Sequence, residues 1–94
     1  MLNILVPSGG PSKLSFSLFE EYGIPAPLSG VDEEINGDVI LKFEDEEEAV
    51  VYAEQMENMA NELNDKSTTQ YLAINDIIVA IRNDEFVQSF TNEN

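Results

Sequence analysis

The sequence contains no cysteine and no histidine. Without cysteine the chain can form neither a disulfide nor a thiolate metal site, and it has no thiol nucleophile. Without histidine it lacks the side chain most used for proton transfer near neutral pH. Two of the side chains that enzymes most often use in catalysis, cysteine and histidine, are therefore missing. We expect a protein that is not an enzyme, with no catalytic residue, no cofactor and no metal site.

Basic residues are also scarce, with four Lys and Arg against nineteen Asp and Glu, for a net charge of -15. So many like charges exceed what solubility requires. Nine asparagines accompany three lysines; since both have AT-rich codons, this ratio favours selection against positive charge over compositional drift. A disordered acidic chain is disfavoured, because 43% of the residues are hydrophobic and they lie in periodic blocks.

Long apolar runs are absent as well. The N-terminal MLNILVPSGG has only a short apolar run and no basic segment, so it resembles neither a signal peptide nor a membrane span. A chain of 94 residues can build one small core. We predict a single acidic domain over residues 1–94, located in the cytoplasm.

The segment from Val31 to Leu63 carries most of the charge. Nine acidic residues lie between Asp32 and Glu48, with Lys42 the one base among them. Residues 31–35 and 38–43 flank Asn36-Gly37, a pair that tolerates the positive φ angles of a two-residue turn. We predict a β-hairpin at this position.

A helix over about 46–63 follows the hairpin. Asp45 can cap it, and Glu48 three residues later completes a capping box. At helical spacing one side is apolar and predicts the buried face, which consists of Ala49, Tyr52, Ala53, Met56, Met59, Ala60 and Leu63. The opposite side carries a row of carboxylates, those of Glu47, Glu54, Glu62 and Asp65.

The flanking segments are harder to interpret. Residues 2–6 indicate a buried strand, and residues 7–11 a turn. Residues 12–22 fit either a strand or a helix; we favour a helix capped by Ser12 and ended by Gly23, followed by a loop over 23–30.

Residues 70–74 and 77–82 predict a second hairpin around Asn75-Asp76. Its second strand is apolar on both faces, which implies cover on both sides, including cover by a partner chain. A short helix through Phe90 and a frayed end over 91–94 complete the expectation.

These elements predict an α+β fold in the ferredoxin-like order βαββαβ, with an extra C-terminal strand from the second hairpin and a short terminal helix. In that topology the central strands are the first and the third, here LNILV and DVILKF. The acidic VDEEI would form an edge, where charge discourages unwanted strand pairing.

Three local sequence patterns are weak indications of a function. Residues 7–12 could cradle phosphate between a strand and a helix, but a plain turn explains them better, since the negative chain repels nucleotides. Residues 32–43 partly match a calcium loop, yet its twelfth position is Phe43 instead of a glutamate. Residues 44–48 could supply paired carboxylates, but a solvated helix start is the simpler interpretation.

The functional hypothesis is therefore based on the net negative charge. We expect a binding protein whose carboxylates take the place of nucleic-acid phosphates on a basic surface of a nuclease or other nucleic-acid-binding protein, without binding nucleic acid or membrane itself. The candidate partner-binding residues are Asp32, Glu33, Glu34, Asp38, Glu44, Asp45, Glu47, Glu54 and Glu62. The alternative is a structural or regulatory subunit, or a homo-oligomer, joined through the apolar second hairpin.

Overall fold

The computed structural model describes residues 1–10 and 12–92. Within them, three strands and four helices follow one another as β1 (Leu2–Val6), α1 (Phe16–Glu21), β2 (Val31–Glu33), β3 (Val39–Phe43), α2 (Glu46–Glu62), α3 (Thr69–Arg82) and α4 (Glu85–Asn92). The strands form one antiparallel sheet in the order β1-β3-β2. The predicted α+β class is confirmed.

One face of the sheet is covered and the other is open. Burial alternates along β1 and β3, as it does where helices cover one face of a sheet. The covered face presents Leu2, Ile4, Val6, Val39, Leu41 and Phe43 to the core. Helices α2 and α3 complete that core, and Leu5, on the open face, keeps 46% of its surface exposed.

The first hairpin forms, but its turn has three residues instead of two. The Glu34 N–H donates to the Asp38 carbonyl at 2.8 Å, which encloses residues 35–37. Gly37 takes a φ of 92°. Among the described residues Lys13 is the one non-glycine residue with a positive φ, so Asn36 does not take one. This geometry fits a turn followed by a left-handed glycine, and β2 ends at Glu33 as a result.

Helix α1 confirms the helical interpretation of residues 12–22 but is shorter than predicted. It begins at Phe16, after Ser15. Ser12 does not cap it, because the Ser12 backbone N–H and hydroxyl both donate to Oδ2 of Asp76, at 3.1 and 2.5 Å. Gly23 ends the helix with a φ of 65°, as expected.

Helix α2 matches the prediction closely. Asp45 Oδ1 accepts from the Glu48 N–H at 2.9 Å, so the cap is present. Glu48 Oε2 accepts from the N–H of Glu44, one residue before the partner that a capping box would use. Most of the predicted apolar side is buried, namely Ala49, Tyr52, Ala53, Met56 and Ala60.

The second hairpin was a wrong prediction, because residues 69–82 form helix α3. The Thr68 hydroxyl accepts from the Tyr71 N–H at 3.2 Å and caps the helix. The buried side chains are Ala73, Ile74, Ile77 and Ile81, which share one helical face. Residues that look apolar on both faces of a strand thus lie on the buried side of a helix.

This correction changes the sheet. With α3 in place of the last two predicted strands, the complete ferredoxin-like order and the extra strand are not found in residues 1–10 and 12–92. Strand β3 is central, as predicted for DVILKF. Strand β1 was also predicted to be central, but it lies at an edge because the strand that would cover it does not form.

The terminal helix is confirmed and extends past Phe90 to Asn92. Asp84 Oδ1 accepts from the N–H groups of Phe86 and Val87 at 2.9 and 3.1 Å, which satisfies donors of its first turn. Of the predicted frayed end, residues 91–92 are helical, and residues 93–94 lie outside the described residues. Pro11, which we placed in the first turn, also lies outside them.

Candidate acidic interaction surface

The structure divides the predicted partner-binding residues between two places. One set, here called the α2 acidic face, consists of Glu44, Asp45, Glu47, Glu54 and Glu62, all exposed on α2 or just before it. The other, here called the sheet acidic group, consists of Asp32, Glu33, Glu34 and Asp38 on β2 and the turn after it. The buried side of α2 faces the core with the covered side of the sheet. Its exposed side therefore points away from the open face of the sheet, on which Asp32 lies beside Lys42.

The α2 acidic face holds its charges in a row. Glu47, Glu54 and Glu62 lie on one side of the helix, about 10 and 12 Å apart along its axis at 1.5 Å per residue. The carboxylates of these three residues and of Glu44 accept no hydrogen bond and form no ion pair within the described chain. Uncharged, exposed residues lie between them, namely Val51, Gln55, Asn58 and Asn61.

Asp45 differs from the other members of this face, because its carboxylate already caps α2. The neighbouring Glu48 also has a structural role through its bond to the Glu44 N–H, while its Oε1 is buried without a partner. The acidic run at the helix start therefore combines two structural carboxylates with exposed ones, at the helix end where the backbone dipole favours negative charge.

The sheet acidic group is largely committed to the fold. Asp32 forms an ion pair with Lys42 at 2.6 Å, and Glu33 Oε2 accepts from the Phe16 N–H at 3.3 Å. Asp38 accepts from the Ser8 N–H at 2.8 Å, and this hydrogen bond lowers the pKa of the Asp38 carboxyl below its ordinary value. Glu34 alone in this group has a carboxylate without a partner in the described chain.

The bases do not neutralise the acidic face. Arg82 pairs with Glu57 at 2.8 Å, and Lys42 with Asp32. The Lys66 ammonium lies 4.8 Å from the centre of the Tyr71 ring and donates to a backbone carbonyl at the end of α2. Lys13 is exposed in a loop before α1. Three of the four bases therefore already have partners within the described chain.

The carboxylate of Asp76, a residue of α3, lies beside Gly10 and Ser12, where a phosphate bound by residues 7–12 would have to lie. Asp76 accepts both hydrogen bonds from Ser12, and a Cβ added at Gly10 would lie 2.9 Å from its Oδ2. This carboxylate occupies both donors of Ser12 and repels phosphate. Among the described residues, no group of three or more acidic, His or Cys side chains is arranged to hold a metal ion.

Sequence reasoning missed a groove of about 610 Å³ that runs between β1 and α3. Its lining includes Leu5, Pro7, Asp76, Val79 and Asp84. No local signal predicted it, because β1 was expected to be a central strand and α3 was expected to lie within the sheet.

Two further findings concern membrane spans and similar proteins. No helix in the part of the chain that the structure describes has the length and hydropathy needed to cross a membrane. Comparisons with protein-family models, curated proteins and solved structures gave no match.

Proposed function

We propose that this chain is a non-enzymatic acidic binding protein, an inhibitor or decoy that docks the α2 acidic face on a basic surface of a nucleic-acid-handling protein. The observation that carries this proposal is the row of exposed carboxylates at Glu44, Glu47, Glu54 and Glu62, none of which has a partner within the described chain. Because these carboxylates have no partner within the described chain, a cationic surface can bind them without breaking an existing contact.

The spacing of this row suits a surface built for nucleic acid. Successive carboxylates from Glu47 to Glu62 lie about 10–12 Å apart along the helix axis, and three phosphate steps of one DNA strand cover about 10 Å of the duplex axis. Lysines and arginines arranged for a phosphate backbone can therefore meet these carboxylates in turn. The amide side chains of Asn58 and Asn61 between them offer hydrogen bonds of the kind that bases provide.

Two biological settings share this chemistry. One is a phage or mobile-element protein that blocks a host defence nuclease, and the other is an immunity protein that neutralises a toxic nuclease. In both, the acidic protein competes with nucleic acid for one groove, and its affinity falls as salt screens the charges.

The subunit hypothesis loses the surface on which it was based. Ile77 and Ile81 have no exposed surface, because α3 buries them in the core of the same chain. Among the apolar residues of that segment, Val79 is the most exposed, at 47%. One exposed side chain does not supply the apolar area of a permanent interface.

Competition with DNA tests the proposal. The protein is immobilised on a resin, and partners are captured from a lysate of its host at about 50 mM salt. The loaded resin is then treated with duplex DNA at constant ionic strength. We expect DNA to release the captured partner, because both occupy one basic groove. Polyglutamate at equal total charge is the control, and we expect it to release less.

Two results would contradict the proposal. In the first, the captured proteins are retained in excess DNA, which places the binding site outside a nucleic-acid groove. In the second, the isolated protein shifts DNA in a gel at moderate salt, since a phosphate mimic and a phosphate binder have opposite charge requirements.

A further inference from the structure

Strand β1 has an unused hydrogen-bonding edge. The Lys42 N–H donates to the Gly30 carbonyl, and the Glu34 N–H to the Asp38 carbonyl, so residues 38, 40 and 42 direct their backbone groups toward β2. Residues 39, 41 and 43 then bond to β1, where they lie opposite Val6, Ile4 and Leu2. The backbone N–H and C=O groups of Asn3 and Leu5 consequently point away from the sheet.

The groove along this edge has a defined chemical character. Its far wall is α3, which contributes Val79 and Ala80, and its charged residues are Asp76 and Asp84. None of the described residues that line it is basic. Pro7 closes one end of the edge, since it has no N–H to offer a further strand. The open edge from Asn3 to Pro7 is about 16 Å long at about 3.3 Å per residue.

We propose that this edge binds an extended, basic segment of a protein partner, which adds to the sheet as a strand beside β1. Strand addition gains main-chain hydrogen bonds from Asn3 and Leu5. Side chains of the added strand that lie beside Ile4 would face Val79 and Ala80. Lysine or arginine at either end would meet Oδ1 of Asp76 and Oδ2 of Asp84, the oxygens that the hydrogen bonds from Ser12 and from the first turn of α4 leave unused. The inference rests on the proposed function for the charge of the partner, and it adds a second contact on a different part of the molecule.

A second copy of this chain is a poorer occupant for the same edge. Each copy carries a net charge of -15, so β1 pairing with β1 would bring two strongly like-charged molecules together. It would also place the carboxylates of Asp76 and Asp84 from both copies near one interface. Charge therefore selects a cationic strand.

Amide hydrogen exchange tests the proposal with the seven-residue peptide Lys-Thr-Val-Thr-Val-Thr-Lys, blocked at both ends, which places its valines and both lysines on the same face of a strand. In the free protein we expect rapid exchange at Asn3 and Leu5, and slow exchange at Ile4, whose N–H bonds to β3. Saturating peptide should slow exchange at Asn3 and Leu5 on the order of tenfold or more. The same peptide with every backbone amide methylated keeps its charge but cannot pair, and it should leave both rates unchanged.

A pair of charge variants locates the peptide in the groove. Asn83→Lys adds a base to the groove lining, and Asn64→Lys makes the same charge change beyond the opposite end of α3, a helix about 21 Å long. We expect Asn83→Lys to weaken peptide binding several-fold more than Asn64→Lys, measured by fluorescence anisotropy.

Either of two results would overturn the inference. One is peptide binding that leaves exchange at Asn3 and Leu5 unchanged, which would mean attraction to another acidic surface. The other is protection of these amides at high protein concentration without peptide, together with a dimeric mass, which would identify a second copy as the occupant. Failure of the proposed function is detected separately, by the DNA competition, because the α2 acidic face does not line this groove.

Discussion

The backbone N–H of Ser8 donates a 2.8 Å hydrogen bond to Oδ1 of Asp38, thirty residues away. This bond ties the end of β1 to the turn between β2 and β3. Oδ2 of the same carboxylate accepts from Nδ2 of Asn36 at 3.1 Å. Asp38, which the charge pattern assigned to partner binding, therefore has a structural role.

Asp38→Asn should show a pH-dependent loss of stability. Hydrogen bonds from Ser8, with a smaller contribution from Asn36, hold the folded-state pKa of Asp38 below its ordinary value of 3.8. A lowered folded pKa gives a stabilisation that is present above the ordinary pKa and is lost as pH falls through the folded-state pKa. We expect the free-energy difference between wild type and variant to be largest above the ordinary pKa of 3.8 and to shrink as pH falls below it, measured by urea unfolding.

Glu34→Gln is the control for this experiment, since the Glu34 carboxylate has no partner in the described chain. Its difference from wild type should vary with pH less than that of Asp38→Asn. A difference for Asp38→Asn that stays constant from pH 2 to pH 7 would show that the hydrogen bonds to Asp38 do not depend on its ionisation.

Asp45→Ala should destabilise the protein by about 1 kcal/mol, because it removes the acceptor for the Glu48 N–H and leaves donors of the first turn unsatisfied. Asp45→Asn keeps an acceptor of the same shape and should cost clearly less. Chemical denaturation of both variants at neutral pH measures the difference. Equal destabilisation by alanine and asparagine would mean that charge, and not the cap, is what Asp45 contributes.

Met56→Asp should abolish the cooperative thermal transition seen by circular dichroism. Met56 has no exposed surface. Burying an unpaired carboxylate there costs more free energy than the whole folding stability of a small domain. Asn58→Asp adds the same charge to the exposed side of α2 and should leave the transition nearly unchanged. A folded Met56→Asp variant would show that the buried face of α2 has been misassigned.

The two long helices show what local sequence can reveal. Helix α2 was predictable because its cap, its acidic first turn and its apolar stripe all indicate one structure. Helix α3 was missed because isoleucines at 74, 77, 78 and 81 have high strand propensity and Asn75-Asp76 looks like a turn. Packing decides against both signals, since Ile74, Ile77 and Ile81 fill one buried helical face.

The candidate site was predictable in composition but not in arrangement. Sequence identifies the exposed carboxylates of α2, because helical spacing fixes which side they occupy. It cannot show that Asp76 bonds to Ser12 across 64 residues, or that Asp32 pairs with Lys42 on the neighbouring strand. Those partners separate carboxylates that are free to bind from carboxylates that hold the fold.

Replacing Glu44, Glu47 and Glu54 together with glutamine tests the α2 acidic face directly. These side chains are exposed and have no partner in the described chain, so the variant should fold with a melting temperature close to that of wild type. Long-range attraction speeds the encounter of opposite charges, so losing three carboxylates should mainly slow association with the captured partner and flatten its dependence on salt.

Replacing Gln55, Asn58 and Asn61 with alanine gives the matched control, because it changes three exposed residues of the same helix without changing charge. Association rates of both variants are measured by surface plasmon resonance from about 50 to 500 mM salt, a range over which the Debye length shrinks about threefold. We expect the glutamine variant to associate more slowly than the alanine variant at low salt and to converge with it at high salt, where wild type also loses its advantage. Association that is equally fast for wild type and the glutamine variant at every salt concentration would place the binding energy outside the α2 acidic face.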